Sequence, residues 1–344
     1  MDRSARDGST QSSGVLKRFL VATAVVPLLL ATCACSTLWR PSVADYDALE
    51  TTTAPTASTR LSLTFLGTSS IAIHDGRRTV LIDGFISRPS ASRFLLLPLR
   101  PDRSRIERAL ASFPKPSAVF VAHSHFDHAM DAATISNLTG ARLFGSQSMA
   151  IIAQGEGVPY GRFSELDDGD AHRFGDMTVT SFETPHSPDG WAQGEVVEFE
   201  PPADWSRYRG GGSYSFLIEA GDCSVLVAAS AGEVGAAFQD VRADLVLLSV
   251  AALGDQGVSA IERYWLSVVG EARPKLVVPI HWDDFTYSLD EPFVALPHLV
   301  DSVGFAMEEV DRLAERNRVP LRLAQPMQVV DLERLLGCTS RQTP

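Results

Sequence analysis

Ser117-Ala118-Val119-Phe120-Val121-Ala122 runs directly into His123-Ser124-His125-Phe126-Asp127-His128. The first stretch reads as a buried β-strand, because it is short, apolar and rich in β-branched and aromatic residues. The second carries four side chains able to hold a metal ion within six positions. A strand end is a rigid platform, and the loop beyond it can turn several imidazoles onto one point. Imidazole nitrogen and carboxylate oxygen are the ligands that borderline divalent metals such as zinc accept. The competing reading, a solvated polar turn, leaves that density of donors unexplained.

The chain holds eight histidines, and two outside this cluster also follow strand-like runs. His186 lies in Glu183-Thr184-Pro185-His186-Ser187-Pro188, just after Met177-Thr178-Val179-Thr180-Ser181-Phe182. His281 follows Lys275-Leu276-Val277-Val278-Pro279-Ile280 and precedes Trp282-Asp283-Asp284. Three strand ends therefore carry donors that one open pocket can collect. His74, His172 and His298 lack such a setting and read as surface or loop residues.

The HxHxDH run, a later lone His after a strand and a final His after another resemble the metallo-β-lactamase superfamily, over roughly Leu61 to Leu335. Thr79-Val80-Leu81-Ile82-Asp83-Gly84-Phe85 and Pro279-Ile280-His281-Trp282 look like its lactonase and phospholipase-D-type branches. The resemblance implies an α/β fold: a four-layered αββα sandwich with the metals at one edge between the sheets. It implies that His123, His125 and His186 hold a first metal, and that Asp127, His128 and His281 hold a second. Asp83 matches a buried aspartate that supports the metal-binding loop, a role with a sound physical basis.

One position departs from that pattern. Many members place a bridging aspartate at a strand end, where this chain has Ser230 in Ser224-Val225-Leu226-Val227-Ala228-Ala229-Ser230-Ala231-Gly232. A neutral hydroxyl removes a negative charge from between two dications that would lie about 3.5–4 Å apart. The second metal is then expected to bind more weakly, or the pair to be bridged by hydroxide alone, as in a branch of the true β-lactamases that also has serine there. Glu233 is near enough in sequence to be weighed as a substitute ligand, a less favoured assignment.

Composition fits a folded enzyme: 344 residues, 45% hydrophobic and 21% charged, enough to bury a substantial core. A net charge of -12 argues against a nucleic-acid partner, since such binding relies on neutralising phosphates. Arg3, Arg6, Lys17 and Arg18 precede the apolar run Phe19 to Leu30, which ends in Ala31-Thr32-Cys33-Ala34-Cys35-Ser36. That pattern is a signal peptide over residues 1–35, of lipoprotein type if Cys33 or Cys35 is lipidated, and of ordinary type if cleavage follows Ala34. The expected location is therefore outside the cytoplasm, periplasmic or on the outer surface as a lipoprotein, otherwise secreted, with membrane contact only through that N-terminus. Residues 36–60 read as a flexible linker, residues 61–337 as one hydrolase domain and 338–344 as a C-terminal tail. Cys223 and Cys338 remain beyond the signal; they read as unpaired packing cysteines, with a disulfide the alternative that sequence cannot place.

Along the domain, β-rich halves alternate with helices. Ile106 to Phe113 reads as a short amphipathic helix stopped by Pro114, and Phe305 to Asn317 as a late one. Ser187 to Gly212, with Trp191, Phe199, Trp205 and Tyr208, is long for a loop in a compact domain and reads as an active-site flap. Phe94-Leu95-Leu96-Leu97-Pro98-Leu99, followed by Arg100, Arg103, Arg105 and Arg108, reads as a buried loop beside a solvated helix. A lipid-facing surface is its alternative.

The chemistry expected is metal-dependent hydrolysis. A metal held by histidines with an open position lowers the pKa of its water toward 7 and supplies hydroxide for attack on a carbonyl or phosphoryl centre. Asp127 and Ser230 are the candidate catalytic residues beside the metals, with Trp282, Tyr214 and Trp191 as pocket candidates. One or two divalent ions are expected, zinc first, with iron or manganese as alternatives. The substrate reads as a small or lipid-like ester, lactone or phosphodiester. A β-lactam is the alternative, although Glu183-Thr184-Pro185-His186-Ser187 lacks a Gly-His-Thr setting. A non-catalytic metal-binding or scaffold protein of the same fold is a further alternative, resting on Ser230.

Overall fold

Alternation along short strands sorts the apolar side chains onto two faces. In β3 (Thr79–Ile82), Val80 and Ile82 enter one core while Leu81 enters another. The computed structural model describes residues 39–49, 60–188, 190 and 192–340. Its first sheet comprises β1 (Ser62–Phe65), β2 (Ile71–His74), β3, β4 (Ala118–Phe120), β5 (Arg142–Gly145) and β6 (Phe163–Glu165). The second comprises β7 (Ala171–Phe174), β8 (Met177–Glu183), β9 (Tyr214–Ala220), β10 (Cys223–Ala228), β11 (Leu245–Ser249) and β12 (Leu276–Ile280). A final strand, β13 (Val329–Asp331), returns to the edge of the first, giving the orders β13-β1-β2-β3-β4-β5-β6 and β12-β11-β10-β9-β8-β7.

Phe65, Ile73, Phe120 and Phe144 meet Val179, Phe216 and Val227 between the sheets. Helices Arg103–Leu110, Ala132–Thr139 and Gln147–Gly155 cover the outer face of the first sheet through Ile106, Ile135 and Ile152. Val258–Trp265 and Val303–Asn317 pack through Ile261, Trp265, Val310 and Leu313 into the core that holds the second sheet. The result is the expected αββα layering. The Arg103–Leu110 helix starts earlier than its apolar residues suggest, because Asp102 caps it by accepting from the Arg105 N–H.

β3 to β6 run parallel, as do β10 to β12. The chain therefore leaves β3, β4, β10 and β12 at Asp83, Val121, Ala229 and His281 in turn, and these strand ends carry the candidate site.

Several expectations need correction. Residues 39–49 are no free linker: the buried Leu49 donates its N–H to the Leu323 carbonyl at 2.7 Å, and Arg40 pairs with Asp284 at 2.7 Å. The tail is joined to the domain as well, since Ser340 donates to Glu333 and Cys338 forms a disulfide with Cys223. The cysteines are thus paired, their Cα atoms 5.3 Å apart; a separation of 115 residues hid a proximity that only the folded chain creates.

The leucine run is not buried. Phe94 turns onto Phe126 and Leu99 pairs with Ala203, leaving Leu95 and Leu96 at the end of helix Ala91–Leu96, and Leu97 just after it, in solvent. The signal expected over 1–35, residues 36–38 and 50–59 of the linker, residues 341–344 of the tail and Trp191 lie outside the described residues.

Candidate metal centre

β4 delivers His123 and His125 through Val121 and Ala122, and a single helical turn, Phe126–Ala129, carries Asp127 and His128. β8 ends at Glu183 and brings His186 from the other sheet; β12 ends one residue before His281. These six donors form two groups, His123/His125/His186 and Asp127/His128/His281, and within each group the ligand atoms lie within 4.8 Å of one another.

The internal spacing fits metal ions. His186 Nε2 is 3.1 Å from His123 Nε2, and His281 Nε2 is 3.2 Å from both His128 Nε2 and Asp127 Oδ2. Metal–nitrogen bonds of about 2.0–2.1 Å in a tetrahedron give donor–donor edges of about 3.3 Å. The tautomers fit too. The His186 Nδ1–H donates to the Ser187 carbonyl at 2.7 Å, leaving an Nε2 lone pair turned toward His123. Two ring nitrogens at this distance need either a proton or a cation between them.

Charge agrees with that reading. Burial, reinforced by the neighbouring imidazoles, keeps His123 well below its ordinary pKa, and burial together with His125 brings His186 down to about 3. Both are neutral at pH 7, as ligands must be. Burial opposes ionisation of Asp127, but the charge of His128 and a hydrogen bond with His281 outweigh it and hold the carboxyl below the usual carboxylate range.

Asp83 fixes the second group. Its Oδ2 lies 2.8 Å from His128 Nδ1 and accepts from Ser69 Oγ, while its Oδ1 accepts from the Ala122 N–H at 2.7 Å. One carboxylate thereby orients a ligand and ties down the end of β4.

A second support was not foreseen. The Arg88 guanidinium pairs with Asp283, both fully buried. Asp283 accepts from the Thr68 N–H at 2.8 Å, and the Thr68 carbonyl accepts from the His281 N–H at 2.9 Å. This chain of contacts holds His281 at a φ of 62°, in the left-handed region. Gly67 is required beside it, since a Cβ there would collide with the Arg88 and Asp283 side chains. The only sequence signal was Asp283 two residues past His281; nothing singled out Arg88.

Ser230 sits beside the groups and lines the same cavity. Its Oγ accepts from the Ser187 N–H at 2.9 Å, so it braces the loop that bears His186. Gly232 lets the two loops touch, because a Cβ there would meet the Pro185 carbonyl. Glu233 belongs to neither ligand group and pairs with Arg263 at 3.4 Å.

Two pocket candidates are misplaced by the sequence reading. Trp282 is fully buried, edge-on to Phe293, and does not line the cavity. Tyr214 is buried with its hydroxyl donating to the Leu166 carbonyl at 2.7 Å. In both cases the backbone is next to the site but the side chain faces the core. His74 and His172 lie on β2 and β7, and His298 packs on Trp39, outside the ligand groups.

The cavity above the ligands has a volume of about 970 Å³. Phe94, Phe126, Trp205 and Phe285 line one wall, with ring centroids 4.9–6.2 Å apart. Trp205 comes from the expected flap, whose Ala192 carbonyl lies 3.3 Å from His125 Nε2 and whose Gly210 carbonyl accepts from the Ser124 N–H. Elsewhere the lining mixes apolar residues such as Leu296 and Pro297 with acidic Glu233, Asp255, Asp284 and Asp301, and its arginines, Arg40 and Arg263, are paired with Asp284 and Glu233.

A family model described as "Beta-lactamase superfamily domain" matches residues 78–282. The chain is 24% identical over 233 residues to a UPF0173 metal-dependent hydrolase of Pyrobaculum islandicum, covering 67% of this chain and 88% of that protein. It is 26% identical over 258 residues to another from Methanopyrus kandleri, covering 73% and 96%. Among solved structures, CmlA, a diiron β-hydroxylase from Streptomyces venezuelae, superposes with a TM-score of 0.50 at 14% identity, covering 80% of this chain and 54% of that one. At that identity the likeness concerns the fold alone.

Proposed function

This chain is a metal-dependent hydrolase of the β-lactamase superfamily, and from that premise we propose that it cleaves an ester or lactone whose acyl portion is apolar. The observation that carries the reading is the position of the two ligand groups at the foot of a cavity with one aromatic wall. An apolar acyl group lies on Phe94, Phe126, Trp205 and Phe285, with the scissile carbonyl over the ligands. Four carboxylates against two arginines, Arg40 and Arg263, leave the cavity wall net acidic, which disfavours an anionic phosphodiester or the carboxylate of a β-lactam. Ser230 at the bridging place favours the β-lactam as second reading, and the assay below includes it.

Zinc is the metal we assign, with iron and manganese as alternatives, because five imidazoles and one carboxylate make a nitrogen-rich set. Such an ion, when bound, supplies a water acidic enough to be deprotonated near pH 7 and a Lewis acid for the carbonyl oxygen. The protein does the rest. His123, His125 and His186 present neutral donors, and Asp127, held as a carboxylate in the second group, faces the same space and can accept the hydrogen bond that orients a water for attack. Ser230, with its lone pair engaged by the Ser187 N–H, keeps its own hydroxyl hydrogen to donate into the site.

We also propose export, supported by the N-terminal sequence pattern and by the Cys223–Cys338 disulfide, which suits an oxidising compartment. The test is the full chain purified without chelators, its metal content and its turnover of a lactone, an aryl ester, a phosphodiester and a β-lactam. Ester or lactone hydrolysis that exceeds the others and vanishes in His125→Ala supports the proposal. Faster β-lactam or phosphodiester cleavage, or no metal-dependent turnover of any, overturns it.

A further inference from the structure

Six apolar side chains stand exposed where the cavity opens. Leu95, Leu96 and Leu97 are 70%, 78% and 53% exposed, Leu299 and Val300 are 66% and 48%, and Trp39 is 67%. They come from three segments far apart in the chain. Leu95, Leu299 and Val300 themselves line the cavity, so the leucine helix and the 299–300 loop both belong to its mouth. Exposed apolar residues are ordinary when single, as Tyr160 and Leu266 are here; clustered at an entrance they mark a contact surface.

Two further observations say what covers it. Arg93 lies in the leucine helix and Arg100 follows it, so basic side chains flank the leucines in a chain of net charge -12, whereas Arg103 in the next helix is paired with Glu107. Apolar tips beside arginines match the acyl and headgroup layers of a membrane surface. The described chain also begins at this rim. Trp39 accepts from the His298 N–H and packs on the His298 ring, and Arg40 lines the cavity. Trp39, the first described residue, thus sits beside the loop of Leu299 and Val300, and the apolar run Phe19 to Leu30 precedes it in the sequence.

We propose that this rim seats on a lipid bilayer, with the cavity mouth facing it. Leu95, Leu96, Leu97, Leu299, Val300 and Trp39 enter the interface, and Arg93 and Arg100 meet the phosphates. Apolar substrate then reaches the aromatic wall without crossing water. The seating itself rests on exposure and charge alone, and only the delivery of substrate rests on the proposed function.

The test is hydrogen–deuterium exchange of the full chain, with and without phosphatidylcholine–phosphatidylglycerol vesicles, in the wild type and in L95S/L96S/L97S. All three leucines are exposed, so the variant folds. Vesicle-dependent protection of residues 91–97 and 297–301, absent from the 171–176 hairpin and lost at both places in the variant, is the expected result. Vesicle binding without protection at the rim shows attachment through the N-terminus alone and overturns the proposal. Rim protection that appears without vesicles also overturns it: dependence on protein concentration identifies a second copy as the occupant, and independence identifies the chain's own N-terminal segment.

Discussion

The two ligand groups are built to different standards of rigidity. His128 and His281 are braced by buried carboxylates: Asp83 holds one ring, and the Arg88–Asp283 pair acts through Thr68 on the backbone of the other. His125 and His186 are oriented by the carbonyls of Ala192 and Ser187, both in the long 187–212 segment. A charged partner inside the core sets a ligand's direction more firmly than a neutral carbonyl in a surface loop. The second group thus receives the stronger scaffold, and it is also the group that lacks a bridging carboxylate at Ser230. The scaffold offsets the missing charge by preorganising the donors, while the looser group can follow the flap.

The hardest blow to this arrangement is at its softer half. His125→Ala removes one of three donors from the first group and should lower turnover by about 10²–10³-fold or more. Metal analysis should show the loss confined to one equivalent, with Asp127, His128 and His281 still loaded. Loss of all metal would mean that the two groups form one cooperative unit and that the contrast between them is false.

Asp83→Asn probes the firmer half. An amide oxygen can still accept from the ring Nδ1–H, but it lacks the carboxylate charge that makes the opposite nitrogen of His128 a stronger donor to a metal. Affinity for the second ion should fall by about 10–100-fold, the usual cost of losing such a partner. Chelator titration followed by metal counting reads this directly; unchanged retention would show that Ser69 suffices.

Ser230→Asp asks whether the brace replaces the bridge. A carboxylate between the groups should tighten the second ion by about tenfold. The cost is the hydrogen bond from the Ser187 N–H, unless the new oxygen accepts it. No gain in retention would indicate that the scaffold already saturates the site.

How far the sequence reached follows the same division. The HxHxDH run was legible because its donors are local: a strand end and one helical turn place four of them whatever the rest does. His186 and His281 could be found because each follows a β-rich run. The Arg88–Asp283–Thr68 brace could not, since its members are linked only through tertiary contacts across 215 positions from Thr68 to Asp283. Trp282 and Tyr214 show another limit. Trp282 directly follows a ligand and Tyr214 opens the strand after the flap, but neither position says which way a side chain points, and both turn into the core. Leu95 to Leu97 failed for a third reason: a short apolar run reads alike in a buried loop and on an exposed rim. Cys223 and Cys338 likewise carry no mark of the approach that folding gives them.

The smallest effect tests what lies beneath the flap. Glu156 has a buried Oε1 with no partner among the described residues; burial, then the charge of Asp131, raises its carboxyl from 4.5 to about 7. Its charge in turn adds to the burial that raises the Tyr208 hydroxyl, in the same segment that orients His125. Because the folded-state pKa lies above the unfolded one, the folded state holds the proton more tightly. The penalty for ionising Glu156 is therefore absent below pH 4.5, grows as pH rises toward 7 and is complete above it. Glu156→Gln escapes it. The variant should melt higher than wild type at pH 8, by on the order of 2 °C, and at the same temperature at pH 4. The gain should come with slower exchange in residues 192–212 and none around Asp83. A melting difference that does not vary with pH, or exchange slowed equally on both sides, would place the soft half of the site elsewhere.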